Sequence, residues 1–169
     1  KFVGGLSFSG DWKGIDLSFL FQAGLGRDVA LTGVYSGGIM DNTQMTKPFY
    51  HGGNSPKYLV ENSWREDNTN AEFPRLSIVQ ASSNNAYSST FWYRSGDYLR
   101  LKNLQIGYTF PQKWMSRIGI DRLRIYFEGQ NLWTVSELTK FNIDPEQPGV
   151  SNGYYPQQRI FSFGVNLAF

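Results

Sequence analysis

The sequence of 169 residues contains no cysteine and a single histidine. Disulfide staples, zinc ribbons and thiol catalysis are thereby excluded, and His51, set in His51-Gly52-Gly53-Asn54, reads as an exposed loop residue and not as a metal ligand. Charge is also scarce. Only 18% of residues are charged and the formal net charge is +2, a balance too even to require nucleic acid as a partner. No run of about 18 apolar residues occurs, which excludes a membrane-spanning helix but not a spanning β-strand, whose alternating pattern needs only about 9 to 11 residues. The chain opens on Lys1-Phe2-Val3-Gly4-Gly5-Leu6 with no basic-then-apolar leader. That start reads as the inside of a structural element, so a fragment of a longer chain is expected.

What the sequence does have is rings. Thirteen phenylalanines, ten tyrosines and five tryptophans make up 17% of the chain, yet mean hydropathy is −0.40. The apolar material is therefore concentrated in aromatic side chains and diluted by Asn, Gln, Ser and Gly, a mixture typical of β-structure.

Period-2 alternation predicts five strands. In 2 to 9, Phe2, Leu6 and Phe8 share a face, with Gly4 between them. After a tight turn over Gly10 to Gly14, residues 15 to 23 place Ile15, Leu17, Phe19 and Phe21 against Asp16, Ser18, Leu20 and Gln22. The third strand, about 97 to 110, changes phase: Leu99 and Leu101 have one parity, Leu104, Ile106, Tyr108 and Phe110 the other. A β-bulge near Lys102-Asn103 reconciles them, as does emergence of the strand above an apolar layer. Pro111 ends the strand, and Trp114, Met115 and Ile118 predict a short amphipathic turn within 112 to 120. The fourth strand, 121 to 133, sets Leu123, Ile125, Phe127 and Trp133 against Arg122, Arg124, Tyr126, Glu128 and Gln130. The fifth, 157 to 169, aligns Phe161, Phe163, Val165, Leu167 and Phe169. Arg159 shares that parity and fits an apolar face only at a polar boundary, where it can snorkel. The stretches of about 25 to 96 and 135 to 156 read as mostly loop, with short apolar pieces such as Val29-Ala30-Leu31 and Leu76-Ser77-Ile78-Val79 that can pair locally.

Short turns thus lie on one side of the sheet and long loops on the other, the layout of outer-membrane barrels. An antiparallel sandwich also alternates, so a secreted carbohydrate-binding β-sandwich is the alternative. Two features favour the barrel. At about 3.4 Å per residue and a tilt near 40°, the apolar face from 161 to 169 spans about 21 Å, close to the roughly 25 Å apolar band of such barrels. Trp12 and Trp114 fall at the turn end and Trp133 at the loop end, where interfacial girdles sit. A strand closing on Phe169 resembles the terminal signal read by the barrel assembly machinery.

No constellation supports an enzyme or a cofactor. Asp144 and Glu146 have the residue types of a glycosidase pair, but in Ile143-Asp144-Pro145-Glu146-Gln147-Pro148-Gly149 they read as a proline-braced turn. Glu66-Asp67-Asn68-Thr69-Asn70 is rich in oxygen but lacks the spacing of a calcium loop. The loop aromatics Tyr50, Tyr58, Trp64, Tyr87, Phe91, Trp92, Tyr93, Tyr154 and Tyr155 suit stacking on sugars or packing on a partner, and equally suit self-packing.

SGDYLRLKNLQIGYTFP (95 to 111), LRIYFEGQNLWT (123 to 134), Phe141, Asp144-Pro145-Glu146 and YYPQQRIFSFGVNLAF (154 to 169) together resemble the C-terminal portion of the SusC/RagA family of TonB-dependent outer-membrane transporters. W-K-G-I-D-L-S (12 to 18) and N-T-N-A-E-F-P-R (68 to 75) also resemble family segments. The resemblance implies an all-β transmembrane antiparallel barrel of about 22 strands, of which this chain supplies the last five or so. It further implies a plug domain absent from this chain, import of oligosaccharides or peptides, a SusD-like surface lipoprotein as partner, and energy from TonB through the missing N-terminal portion. Outer-membrane lipid and the barrel assembly machinery are the remaining expected partners, and the bacterial cell outer membrane the expected location. An odd arc of five strands leaves open edges that lipid cannot satisfy, so further strands are expected from elsewhere.

Overall fold

The computed structural model describes residues 1–31, 56–76, 89–148 and 157–169. The chain divides into two compact units, one of Lys1–Gly26, Asp97–Ser136 and Gln157–Phe169, the other of Arg27–Gly96 and Glu137–Pro156.

The first unit is a five-stranded antiparallel sheet. Its strands are β1 (Phe2–Trp12), β2 (Ile15–Leu25), β5 (Tyr98–Thr109), β6 (Arg122–Ser136) and β7 (Ile160–Ala168), hydrogen-bonded in that order. The predicted strands are all present, and the first, second and fourth run further than alternation alone indicated. The β1–β2 turn shrinks to Lys13-Gly14, both left-handed at φ 49° and 89°, which is the two-residue hairpin whose twist matches that of its strands. A Cβ on Gly14 would lie 2.7 Å from the Thr109 carbonyl oxygen, so this position requires glycine.

The phase change in β5 is a bulge. Leu20 pairs with Asn103 and Phe21 with Leu101, leaving Lys102 as the extra residue. On the other side of β5, Leu101 pairs with Trp133 and Asn103 with Gln130, and Asn131 takes a φ of 51° to absorb the second irregularity. After β5 a short helix α2 (Gln112–Met115) and a 3₁₀ turn (Ser116–Ile118) bury Met115, and Gly119, at φ 74°, ends them in the left-handed conformation usual at helix ends. The chain leaves the sheet after β2 and β6 and re-enters it at β5 and β7, all at the end opposite the hairpin and the 110–121 connection. Among the described residues, β1 and β7 have no partner on their outer edges.

The second unit shows what the stretches 25 to 96 and 135 to 156, read as mostly loop, hold among the described residues: short elements around a core of their own. Strand β3 (Asp28–Ala30) pairs with β4 (Tyr93–Ser95), a helical turn α1 spans Lys57–Glu61, and 3₁₀ turns span Thr90–Trp92 and Glu137–Phe141. They enclose a core of Val29, Leu31, Leu59, Phe73, Trp92, Leu138, Phe141 and Ile143. No chain segment contributes more than three of these side chains, too few for a periodicity to announce them. Val29-Ala30-Leu31 does pair locally, with 93–95. Of Leu76-Ser77-Ile78-Val79 only Leu76 lies within the described residues, packed against this core.

Candidate functional site

The register of the sheet gathers its side chains into rows. On one face Phe8, Phe19, Leu104, Gly129 and Phe161 form a row across all five strands. Next comes Gly10, Leu17, Ile106, Phe127 and Phe163, and nearest the turns Trp12, Ile15, Tyr108, Ile125 and Val165. Beyond the bulge the row Leu6, Phe21, Leu101 and Trp133 keeps the same face apolar. Rings pack across strands, Phe8 on Phe19 at 5.3 Å and Phe127 on Phe163 at 5.2 Å between centroids, as cross-strand aromatic pairs do. Yet Phe163 is 82% exposed and Phe169 85%. A continuous apolar surface of this extent on a water-facing protein marks a binding or membrane surface. Trp12 and Trp114 are exposed at the turn end and Trp133 at the opposite end. Arg159 is exposed and lies outside β7.

The opposite face is polar in the same register: Ser9, Ser18, Gln105, Glu128 and Ser162 in one row, Asp11, Asp16, Gly107, Tyr126 and Gly164 in the next. Arg124 reaches over Gly107 to Asp16, with Nε and Nη2 donating to the two carboxylate oxygens at 2.9 and 2.5 Å. A Cβ on Gly107 would sit 2.5 Å from Asp16 Oδ1 and 2.6 Å from Arg124 Nη2, so the glycine leaves the channel through which this bidentate pair forms. The same device recurs twice. The Tyr126 ring covers Gly164 and the Tyr98 ring covers Gly24, with the Arg124 guanidinium 4.8 Å from the Tyr126 ring centre and Gln22 Nε2 donating to the Tyr98 hydroxyl at 3.1 Å. Arg100, buried beside them, donates from Nε to Thr134 Oγ1 at 2.9 Å. Val3, Leu20, Ile160 and Ala168 are apolar members of this face.

In the second unit a charge cluster seals the core. Glu72 accepts from the Tyr58 hydroxyl at 2.7 Å, from Arg94 Nη2 at 3.2 Å and from Lys140 Nζ at 3.2 Å. Glu137 extends the network, 3.7 Å from Arg94 Nε, and accepts from the Ser95 backbone amide at 3.0 Å. Burial pushes the Glu72 carboxyl up, but the hydrogen bonds from Tyr58, Lys140 and Arg94 outweigh it and hold the group below the usual carboxylate range. The bond to Glu72 in turn raises the Tyr58 phenol. These residues come from four separated segments, so spacing gave no sign of them. Two of the loop aromatics take the self-packing alternative: Trp92 is buried, and Tyr58 packs edge-on to Phe73 and Phe141 at 6.3 and 5.2 Å. Trp64, Phe91 and Tyr93 are exposed, whereas His51, Tyr50, Tyr87, Tyr154 and Tyr155 lie outside the described residues. Glu146 donates its backbone amide to Asp144 Oδ1 at 2.9 Å, the local turn bond that places an aspartate there. The stretch 65 to 70 turns on itself, Arg65 and Asn68 exchanging backbone hydrogen bonds and Arg65 pairing with Asp67 at 3.2 Å.

No family model matches the chain. Among curated proteins it is 28% identical to TonB-dependent receptor P3 of Formosa agariphila, over 97% of this chain and 16% of that protein. It is 30% identical to TonB-dependent receptor SusC of Bacteroides thetaiotaomicron, over 60% of this chain and 10% of that protein. Among solved structures the RagAB peptide transporter matches at a TM-score of 0.63 and 26% identity, over 99% of this chain and 17% of that chain. The chain thus spans about a sixth of the length of the first relatives it matches.

Proposed function

Because this chain is a portion of a SusC/RagA-type TonB-dependent receptor, we propose that its sheet is an arc of outer-membrane barrel wall in a nutrient importer. The carrying observation is the two-faced sheet: apolar rows exposed across five strands, backed by an ion-paired polar face. Water does not tolerate the first face, and a sandwich would bury it under a second sheet, whereas hydrocarbon is a matched solvent for it. The polar face then lines the interior, where charged side chains meet water or a plug.

The imported cargo is an oligosaccharide or a peptide, the second supported by the likeness to a RagAB peptide transporter. A SusD-like surface lipoprotein serves as partner at the long-loop end, and TonB supplies energy through parts of the protein outside this chain. Phe161, Phe163, Val165, Leu167 and Phe169 form the alternating signal for the assembly machinery, while Trp12, Trp114 and Trp133 anchor the wall at the two interfaces. The intact receptor is expected to fractionate with the outer membrane, to shift its electrophoretic mobility on heating as folded barrels do, and to co-purify with a surface lipoprotein. Recovery as a soluble periplasmic protein would overturn the reading.

A further inference from the structure

The apolar face is not uniform. In the two rows nearest the turns it is hollowed into a shallow groove lined by Ile15, Ile106, Ile125, Phe127, Phe163 and Val165. The rings of Phe127 and Phe163, tilted against each other, form one wall, and the shorter branched side chains leave the depression beside them.

At the end of that groove the charges are lopsided. Lys13 holds its ammonium 4.6 Å from the ring centre of Trp12, and Trp12 is paired with Ile15, the first residue of the groove row. Lys113 and Arg117 stand exposed on the connection after β5, which has no acidic residue from Phe110 to Ile120. Asp11 and Asp16 belong to the polar-face row, and Asp16 is held by Arg124. Asp121 is the one side-chain carboxylate that follows on this connection. Exposed Trp114 and Ile118 lie between and beside these cations.

An apolar groove whose end carries exposed cations, one of them held over a ring, fits one ligand chemistry. We propose that the turn end of this sheet binds an anionic glycerophospholipid, with an acyl chain along the groove and the head-group phosphate against Lys13, Lys113 and Arg117. The proposal rests on the wall reading, because a lipid approaches this face only if the face lies in a membrane. A basic residue near an anionic lipid surface strengthens binding by roughly fivefold, so charge selects the head group while the groove orders the chain.

The test is native mass spectrometry of the intact receptor, stripped of lipid and titrated with phosphatidylglycerol or phosphatidylcholine carrying the same acyl chains. Retention of phosphatidylglycerol is expected to exceed that of phosphatidylcholine by roughly tenfold or more. The triple variant Lys13→Gln/Lys113→Gln/Arg117→Gln should abolish most of that difference while reaching the outer membrane at normal levels, and Val165→Trp, which fills the groove, should lower retention of both lipids. Equal retention of the two lipids by the unmodified receptor, or an unchanged preference in the triple variant, would overturn the site. Neither result touches membrane location, which fractionation and heat-modifiability report separately.

Discussion

The two units of this chain treat the same kinds of side chain in opposite ways. In the second unit Leu31, Leu59 and Leu138 are wholly buried at 0% exposure, whereas in the sheet Phe163 is 82% exposed and neighbouring Phe161 62%. The second unit hides its rings behind a hydrogen-bonded charge cluster around Glu72, as a water-soluble core does. The sheet reverses this, keeping an ion pair on its polar face and exposed rings on the opposite face. The difference is one of solvent. Apolar residues go where the surroundings are apolar, and only in the second unit does the described chain itself supply those surroundings.

That comparison can be broken from either side. Phe141, at 2% exposure, meets Tyr58 and Phe73 edge-on, so Phe141→Ala should cost about 3 to 5 kcal/mol through lost transfer energy and the cavity left behind. Hydrogen exchange on the intact receptor is expected to show amides in 57–76 and 137–143 losing protection while β5 and β6 keep theirs. Loss of protection throughout both units would mean that they do not fold on separate cores. On the sheet, Phe163→Arg should cost about 2 to 4 kcal/mol if the position is near the bilayer midplane, and outer-membrane levels of the receptor should collapse. Asn166→Ser, on the opposite parity and paired with Arg124 in the register, should assemble normally. Equal assembly of the two variants would refute the assigned faces.

The smallest effect belongs to the charge cluster. Glu72→Gln keeps the shape but removes one of the two carboxylates paired with Arg94 and Lys140, and should destabilise the second unit by about 1 to 3 kcal/mol. The pH dependence has a definite sign. The folded Glu72 carboxyl lies below its ordinary range, so its contribution is fully present above that range and is lost as pH falls through it and then through the depressed folded value. Raising the Tyr58 phenol has the opposite signature, a contribution present below its ordinary value near 10.0 and lost as pH rises through the folded one. Protection of 57–76 measured against pH should fall in acid in the unmodified receptor and flatten in Glu72→Gln.

Alternation made the sheet legible from sequence because a strand commits every second side chain to one surface. Leu99 and Leu101 against Leu104 and Ile106 pointed to a bulge near Lys102-Asn103 or to emergence from an apolar layer, and the register has the bulge, with Lys102 as the extra residue. The polar face was legible as polar, but not the Asp16–Arg124 pair, which joins residues 108 positions apart through the register of an intervening strand. The second unit was legible only in the local pairing of Val29-Ala30-Leu31, and its core was not. Phe73, Phe141 and Leu31 meet from separate segments with no common period, and Trp92 and Tyr58 stayed open between surface binding and self-packing because nothing local told of the core beneath them. The family resemblance carried what periodicity does not: the expectation that the apolar face lies against lipid.

The most direct test of that claim is a spin-label scan along β7 of the intact receptor in lipid, with single substitutions from Phe161→Cys through Leu167→Cys on a background free of other accessible thiols. Labels at 161, 163, 165 and 167 are predicted to collide with dissolved oxygen, which concentrates in hydrocarbon, and labels at 162, 164 and 166 with a water-soluble nickel chelate, giving a period of two in both profiles. Labels at all seven positions equally open to the nickel chelate would show that both faces of the sheet are in water, and the wall account would be wrong.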